Sequence, residues 1–499
     1  MKRRTALLAL CVEFVAILSL SVLQGHAAED SPATAPTTIL PNVDKWTIHP
    51  ALAGGNPMQY RLLPDAFEQR PGNAVPLYLM SRQFWPDQKT TDEILWPENH
   101  RYDYLDTPIE QFPQDDAHKL LDAYSDTLAF VDRAARRQSA VWDDNEWPDV
   151  RFGAKAFAYR DDLRHAGNLL TFRARFQISQ DDWSGAIYTL QTSFSMARQF
   201  GSEPMLIHAI ESSGFGRNAL EAVPEWITRR DSPNLYWALS DLPDPFVELA
   251  PVAQYERTPS GQTPLDQAMR GELPAELWGP VVQDMIGRLQ EMRPPFKRNQ
   301  AEIEAEATRL VASVYPRAKE YLISVGVPKE KINSMAPEEA VGTYFCRQAV
   351  AASDQLWKCW SLPYPQAQEQ MLRSWKALAP DQPPLLDNPL FQGNQVWISG
   401  PTQHPNYDFP SLLRWRYSLT AIDREIALFR TVEALRDYAA RHDGVPPASL
   451  DEITDLPVPL DPATDKPFDY SVQGRTVHLD ALTPWWPRNG WRLELSFAK

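Results

Sequence analysis

The chain has 499 residues, 43% of them hydrophobic and 11% aromatic, which is enough apolar side chain to build a large core and excludes global disorder. Its length predicts two or three folding units rather than one. A net charge of −16 repels phosphate backbones and anionic lipid, so neither nucleic acid nor a membrane surface is an expected partner. The 45 prolines are roughly 9% of the chain against about 5% in average usage. Proline breaks helices from within and is tolerated in their first turn, so many short, punctuated helices are expected.

Lys2, Arg3 and Arg4, the apolar stretch Ala6 to Leu23 and the small-residue site Gly25-His26-Ala27 predict a secretory signal over residues 1–28. Cleavage after Ala27 or Ala28 would release an exported bacterial protein, periplasmic or in the cell envelope. It would also remove three basic residues and Glu13, leaving the mature chain two charges more negative. Retained, the same segment would serve as an anchor with Glu13 in lipid, and membrane contact is expected only in that case. Residues 29–56, with Ser31-Pro32-Ala33-Thr34-Ala35-Pro36, read as an extended leader.

Residues 57–378 read as a helical domain. Between Ala117 and Arg137, Leu120, Leu121, Tyr124, Leu128, Val131 and Ala135 form a 3.6-residue stripe. Leu163 to Ile178 and Trp183 to Phe200 predict a helical hairpin turning at Ser179–Asp182, with Asp182 as the N-cap of the second helix. The spacing of Ala174, Trp183, Ala186 and Leu190 partly matches a tetratricopeptide repeat. A third helix is expected from Met205 to Val223.

The prolines between residues 241 and 264 predict a loop or very short turns. A helix follows from Phe296 to Val325, kinked at Pro316, and another runs from Pro337 through Trp360. On that helix Cys346 and Cys359 would lie about 20 Å apart at the standard rise. A disulfide needs Cα atoms within about 7 Å, so both are expected to be free thiols.

Residues 379–410, with seven prolines, read as a linker. Residues 411–499 then form a C-terminal module that opens with a long helix from Ser411 to His442, carrying Leu412, Trp415, Leu419, Ile422, Ile426 and Phe429 at seam spacing. Gly444 ends it, and Pro446-Pro447 prevents continuation. Phe468–Val472 and Arg475–Leu479 predict a β-hairpin across Gln473-Gly474, and Leu493–Phe497 alternates like an edge strand. The fold class expected is therefore mainly α: helical hairpins, repeat-like and of tetratricopeptide-like solenoid type, with a small C-terminal helix-plus-β-hairpin module.

Two groups of residues carry a resemblance. Tyr60-Arg61-Leu62-Leu63-Pro64, Pro71-Gly72-Asn73-Ala74, Asn234 to Leu239 and Leu242-Pro243, with Pro457 to Pro462 and Lys466 to Tyr470, resemble a family of exported bacterial helical proteins of unknown function. The resemblance implies an exported helical protein and brings no catalytic residues with it. The C-terminal module is also similar to the globular end of type II secretion pseudopilins, without their N-terminal methylated helix or their calcium loop. In its turn Asp465 stands where a glycine is usual, and Asp tolerates the left-handed conformation at some cost.

Trp142, Asp143, Asp144, Glu146, Trp147 and Asp149 are the strongest candidate for chemistry. Indole faces stack on sugar rings, and paired carboxylates supply the acid and base of glycoside cleavage. Asp143, Asp144 and Glu146 are thus the candidate catalytic residues and Trp142 and Trp147 the candidate binding residues, against the plainer reading of a capped turn with buried indoles. Gly214-Phe215-Gly216-Arg217-Asn218-Ala219 matches a dinucleotide fingerprint. That motif requires a second strand and an acidic residue about 20 positions on. Pro224 to Arg229 follows instead, so the glycines read as a close helix contact. The nine histidines show no metal spacing, and His165 and His208 read as packing residues in helices. No cofactor and no metal is expected.

These readings favour a helical interaction or scaffold protein of the envelope over an enzyme, with a protein or peptide as partner. The alternatives are an all-helical protein that binds or degrades polysaccharide, and an accessory component of a secretion or pilus system.

Overall fold

The computed structural model describes residues 41–54, 59–86, 107–142, 160–258, 263–291, 300–377, 411–482 and 490–498. The expected signal, the first part of the expected leader and the whole of the linker expected at 379–410 lie outside them. The chain is mainly helical with a small C-terminal strand module, as the periodicity predicts. It divides into two units, 37–248 with 417–499 and 249–416. The sequence placed a boundary after residue 378 instead. The difference arises because residues 417–499 return to pack with the first half of the chain, a pairing no local pattern carries.

The first unit opens with β1 (Asp44–Ile48) and β2 (Arg70–Asn73), followed by α1 (Val75–Ser81) and a 3-10 turn at Arg82–Phe84. Then come α2 (Gln114–Ala123), α3 (Ser125–Ala135) and β3 (Arg137–Ser139), which pairs with β2 in parallel. The expected hairpin is α4 (Arg160–Ser179) and α5 (Trp183–Phe200). Asp181 turns the chain in a left-handed conformation at φ 56°, and the Asp182 carboxylate accepts from Gly185 N at 3.0 Å, the cap read from the sequence. Packed on this pair is α6 (Leu206–Leu220), with α7 (Val223–Thr228) and α8 (Tyr236–Ser240) after it.

The second unit holds α9 (Leu249–Arg257), α10 (Pro264–Arg270), α11 (Trp278–Glu291), α12 (Gln300–Ser324), α13 (Lys329–Ser334), α14 (Pro337–Trp357) and α15 (Tyr364–Ala377). Residues 241–264 are thus not all loop. Pro251 falls in the first turn of α9, where a missing N–H costs no helical bond. Its core joins Trp278, Val281, Val282 and Met285 of α11 to Val311, Val314 and Ala318 of α12 and Val341, Tyr344 and Phe345 of α14. Gly342 is the contact point, where an added Cβ would run into the Trp278 indole. Cys346 and Cys359 are buried free thiols, and burial pushes Cys346 up to about 12.

The chain re-enters the first unit along α16 (Ser411–Arg441), from Tyr417 onward. Asp443 and Gly444 end the helix in left-handed conformations, and Gly444 N reaches back to Ala439 O at 2.8 Å. β4 (Asp469–Gln473) and β5 (Thr476–Ala481) form the expected antiparallel hairpin, and Asp465 adopts φ 56° in the turn before it. β6 (Trp491–Phe497) is not the edge its sequence suggested. The sheet order is β1-β6-β5-β4, with Asp44 to Ile48 parallel to Leu493 to Phe497. Residues 44–48 of the expected leader are therefore a structural strand, with Ile48 fully buried and Trp46 packed on Phe429 and Trp491.

Candidate functional site

Trp142 is the last described residue before the acidic run, and the frame around it is built from side-chain bonds to backbone. Asn73 of β2 donates to Val141 O at 3.1 Å and accepts from Val141 N at 2.9 Å. Gln199, one residue before the end of α5, donates to Ala134 O at 3.2 Å and Arg137 O at 2.8 Å. It thereby caps α3, whose last carbonyls have no partner within the helix. The Tyr78 hydroxyl donates to Gln199 Oε1 at 2.6 Å, and Ser202 donates to Ala140 O at 2.7 Å.

This frame holds Trp142 inside the protein. The indole is 5% exposed, stacks against Tyr78 at 6.2 Å and meets Phe200 edge-on at 5.0 Å. Its N–H donates to Gln199 O at 2.8 Å, and its backbone N–H donates to Glu203 Oε1 at 3.2 Å. A sugar ring needs an open indole face, and here the ring wedges between α1 and α5. Burial raises the Tyr78 hydroxyl well above the usual tyrosine range, with the Asp132 carboxylate adding to the shift. Asp143, Asp144, Glu146, Trp147 and Asp149 lie outside the described residues. The structure therefore fixes the point at which the acidic run leaves the frame, the C-terminal end of α5.

The glycine motif sits wholly inside α6. A Cβ on Gly216 would strike Ile422 and Phe246, while Gly214 has open space, so one glycine of the pair serves a helix contact. His208 is fully buried, with Nδ1 2.9 Å from Phe200 O and its ring stacked on Phe200 at 4.6 Å. His165 meets the Tyr124 hydroxyl at 3.1 Å and the Trp85 ring at 4.5 Å. Among the described residues no group of three or more His, Cys, Asp or Glu is placed to hold a metal ion. Likewise, no described helix is long and apolar enough to cross a membrane.

The sequence reading missed the charge along α16. Arg436 and Glu433 are both fully buried and bonded at 2.9 Å. The same guanidinium donates to His49 O at 2.9 Å, Ser232 O at 3.0 Å and Ser232 Oγ at 2.8 Å. Asp437 accepts from Ala53 N at 2.7 Å, and Asn234 spans Ala51 O and Glu433 O at 2.9 Å each. One turn of helix thus ties down the segment after β1 and the loop before α8. Desolvation pushes the Glu433 carboxyl up, with Arg436 and the Leu235 N–H opposing it.

Further up α16, Glu425 takes the Arg217 guanidinium at 2.7 Å and the Trp491 indole N–H at 3.3 Å. Arg424 grips Asp461 through bonds of 2.8, 2.9 and 2.6 Å and donates to Leu482 O at 3.0 Å. Asp461 also accepts from Ala463 N at 2.9 Å, so Arg424 fixes the loop that leads to the hairpin. A signal existed in the sequence. Apolar and charged residues alternate on every face from Leu428 to Asp437, a pattern that suits a helix enclosed on all sides and not a helix with one wet face.

Comparison with family models, with curated proteins and with solved structures finds no match for the chain.

Proposed function

We propose that this chain is a helical interaction protein of the bacterial cell envelope, holding a protein or peptide partner. The observation that carries the reading is the use to which α16 puts its charge. Arg424, Glu425, Arg436 and Asp437 each bind a segment of the first unit from another part of the chain, and Glu433, paired with Arg436 on the same helix, accepts from the Leu235 N–H. Fully satisfied networks of this kind make a frame rigid. A catalytic acid or base needs a carboxylate left in reach of substrate, whereas these are saturated by guanidinium and amide groups. Export rests on the N-terminal residues Lys2 to Ala28.

The test is photocrosslinking in intact cells from several exposed positions of the first unit, with the purified protein incubated in parallel with peptidoglycan and envelope glycans. The reading expects one or a few envelope proteins to crosslink reproducibly and the polymers to stay intact. Release of soluble fragments, lost in Asp143→Ala or Asp144→Ala, would instead make the chain an enzyme acting on polysaccharide.

A further inference from the structure

The turn at residues 65–70 presents Phe67 to solvent on a rigid base. The Asp65 carboxylate accepts from Phe67 N at 2.8 Å and from Glu68 N at 3.0 Å, and Asp65 N donates to Glu68 Oε2 at 2.9 Å. Arg70 caps the Phe67 carbonyl at 2.6 Å. The polar groups of the turn are thus spent on holding its shape. Phe67 is 88% exposed, whereas Leu52, the next large apolar side chain among the described residues, is 54% exposed. A single exposed apolar side chain is ordinary on a protein surface. One held this far out, on a turn with so little freedom left, is preorganised for contact.

Its neighbours add a second observation. Arg70 and Arg137 face each other in register across β2 and β3. Arg70 bonds to the carbonyls of Phe67 and Gln69, and Arg137 to that of Pro71 at 2.6 Å. Among the described residues neither has a carboxylate partner, in a chain whose net charge is −16. A turn that carries Phe67 and Arg70, with Arg137 in register on the next strand, has residue types enriched at interface hot spots, and arginines bonded only to carbonyls are free to take a carboxylate.

We infer that the Phe67 turn docks a partner protein through a segment of that partner in which an aromatic or aliphatic cluster is flanked by Asp or Glu. The inference rests on the interaction reading above and names the surface that performs it. An anionic bilayer is the weaker occupant, because the chain as a whole repels it and one ring gives little insertion.

The probe is a displayed library of random peptides selected on the full mature protein. Enriched sequences should combine an aromatic or aliphatic cluster with acidic residues. Binding of their synthetic versions should fall at least tenfold in Phe67→Ala and in Arg137→Glu, with unfolding midpoints unchanged. Raising the salt should weaken the wild type more than Arg137→Glu. Enriched peptides that bind Phe67→Ala as well as wild type overturn the surface and leave the interaction reading standing. A library that yields no binder tells against both. Phe67-dependent binding to vesicles of anionic lipid, or Phe67-dependent self-association in sedimentation, replaces the partner protein and overturns the inference.

Discussion

Replacing Arg436 with Met removes the guanidinium and keeps most of the side-chain volume. It leaves Glu433 buried without its counter-charge and takes the donor away from His49 O, Ser232 O and Ser232 Oγ. Breaking a buried pair from one side costs about 3–5 kcal/mol, because the remaining charge has lost its compensation. The expected loss for Arg436→Met therefore lies in that range. The double variant Glu433→Leu with Arg436→Met removes both charges and should recover more than half of it. The sign with pH follows from Glu433, whose carboxyl already lies above its ordinary value through burial and rises further without Arg436. Such a group contributes stability below its unfolded pKa of about 4.3 and loses it as pH rises through the folded value. The deficit of Arg436→Met should thus be smaller at pH 5 than at pH 8. With two units in the chain one unfolding curve mixes two transitions, so the assay is hydrogen exchange at the amides of α16 and β1. A loss below about 1 kcal/mol, or a double variant as unstable as the single one, refutes the view that this pair ties the first unit together.

Further outcomes follow from the packing. Gly214→Ala should stabilise α6 by up to about 1 kcal/mol, since its Cβ meets open space and glycine is a poor helix former. Gly216→Ala should cost about 1–3 kcal/mol by crowding Ile422 and Phe246, and hydrogen exchange along α6 that ranks the two the other way would restore the glycines to a different role. Ile48→Ala should cost about 2–5 kcal/mol and raise exchange along β6, whereas an unchanged β6 would show that β1 is dispensable to the sheet. The Cys346 thiol, held up at about 12 and buried, should resist maleimide at pH 8 in the folded protein and react once denaturant is added. Asp182→Ala should cost about 1 kcal/mol through loss of its bond to Gly185 N, measured by hydrogen exchange at the amides of α5.

Local physics made much of the fold legible. Asp182 capped the helix it preceded, Asp443-Gly444 stopped α16, and Gln473-Gly474 led into the turn of the hairpin, because capping and left-handed turns depend on residues a few positions apart. The hairpin of α4 and α5 followed from a 3.6-residue stripe on each side of one turn. Of the candidate site, Trp142 was legible as an aromatic beside acids. Its burial was not, because the rings that enclose it come from residues 78 and 200.

The sequence by itself determined helical character, the places where helices start and stop, and the acidity of the chain. Only the tertiary structure decided the partners of those helices. β6 reads as an edge strand until β1, more than 400 residues earlier in the chain, lies alongside it. The stripe on α16 reads as one apolar seam until Arg424, Glu433 and Arg436 find Asp461, Leu235 and Ser232 on separate segments. The reason is physical. A cap is satisfied within a turn of chain, whereas a buried charge or a sheet edge is satisfied by whichever distant segment the fold brings to it.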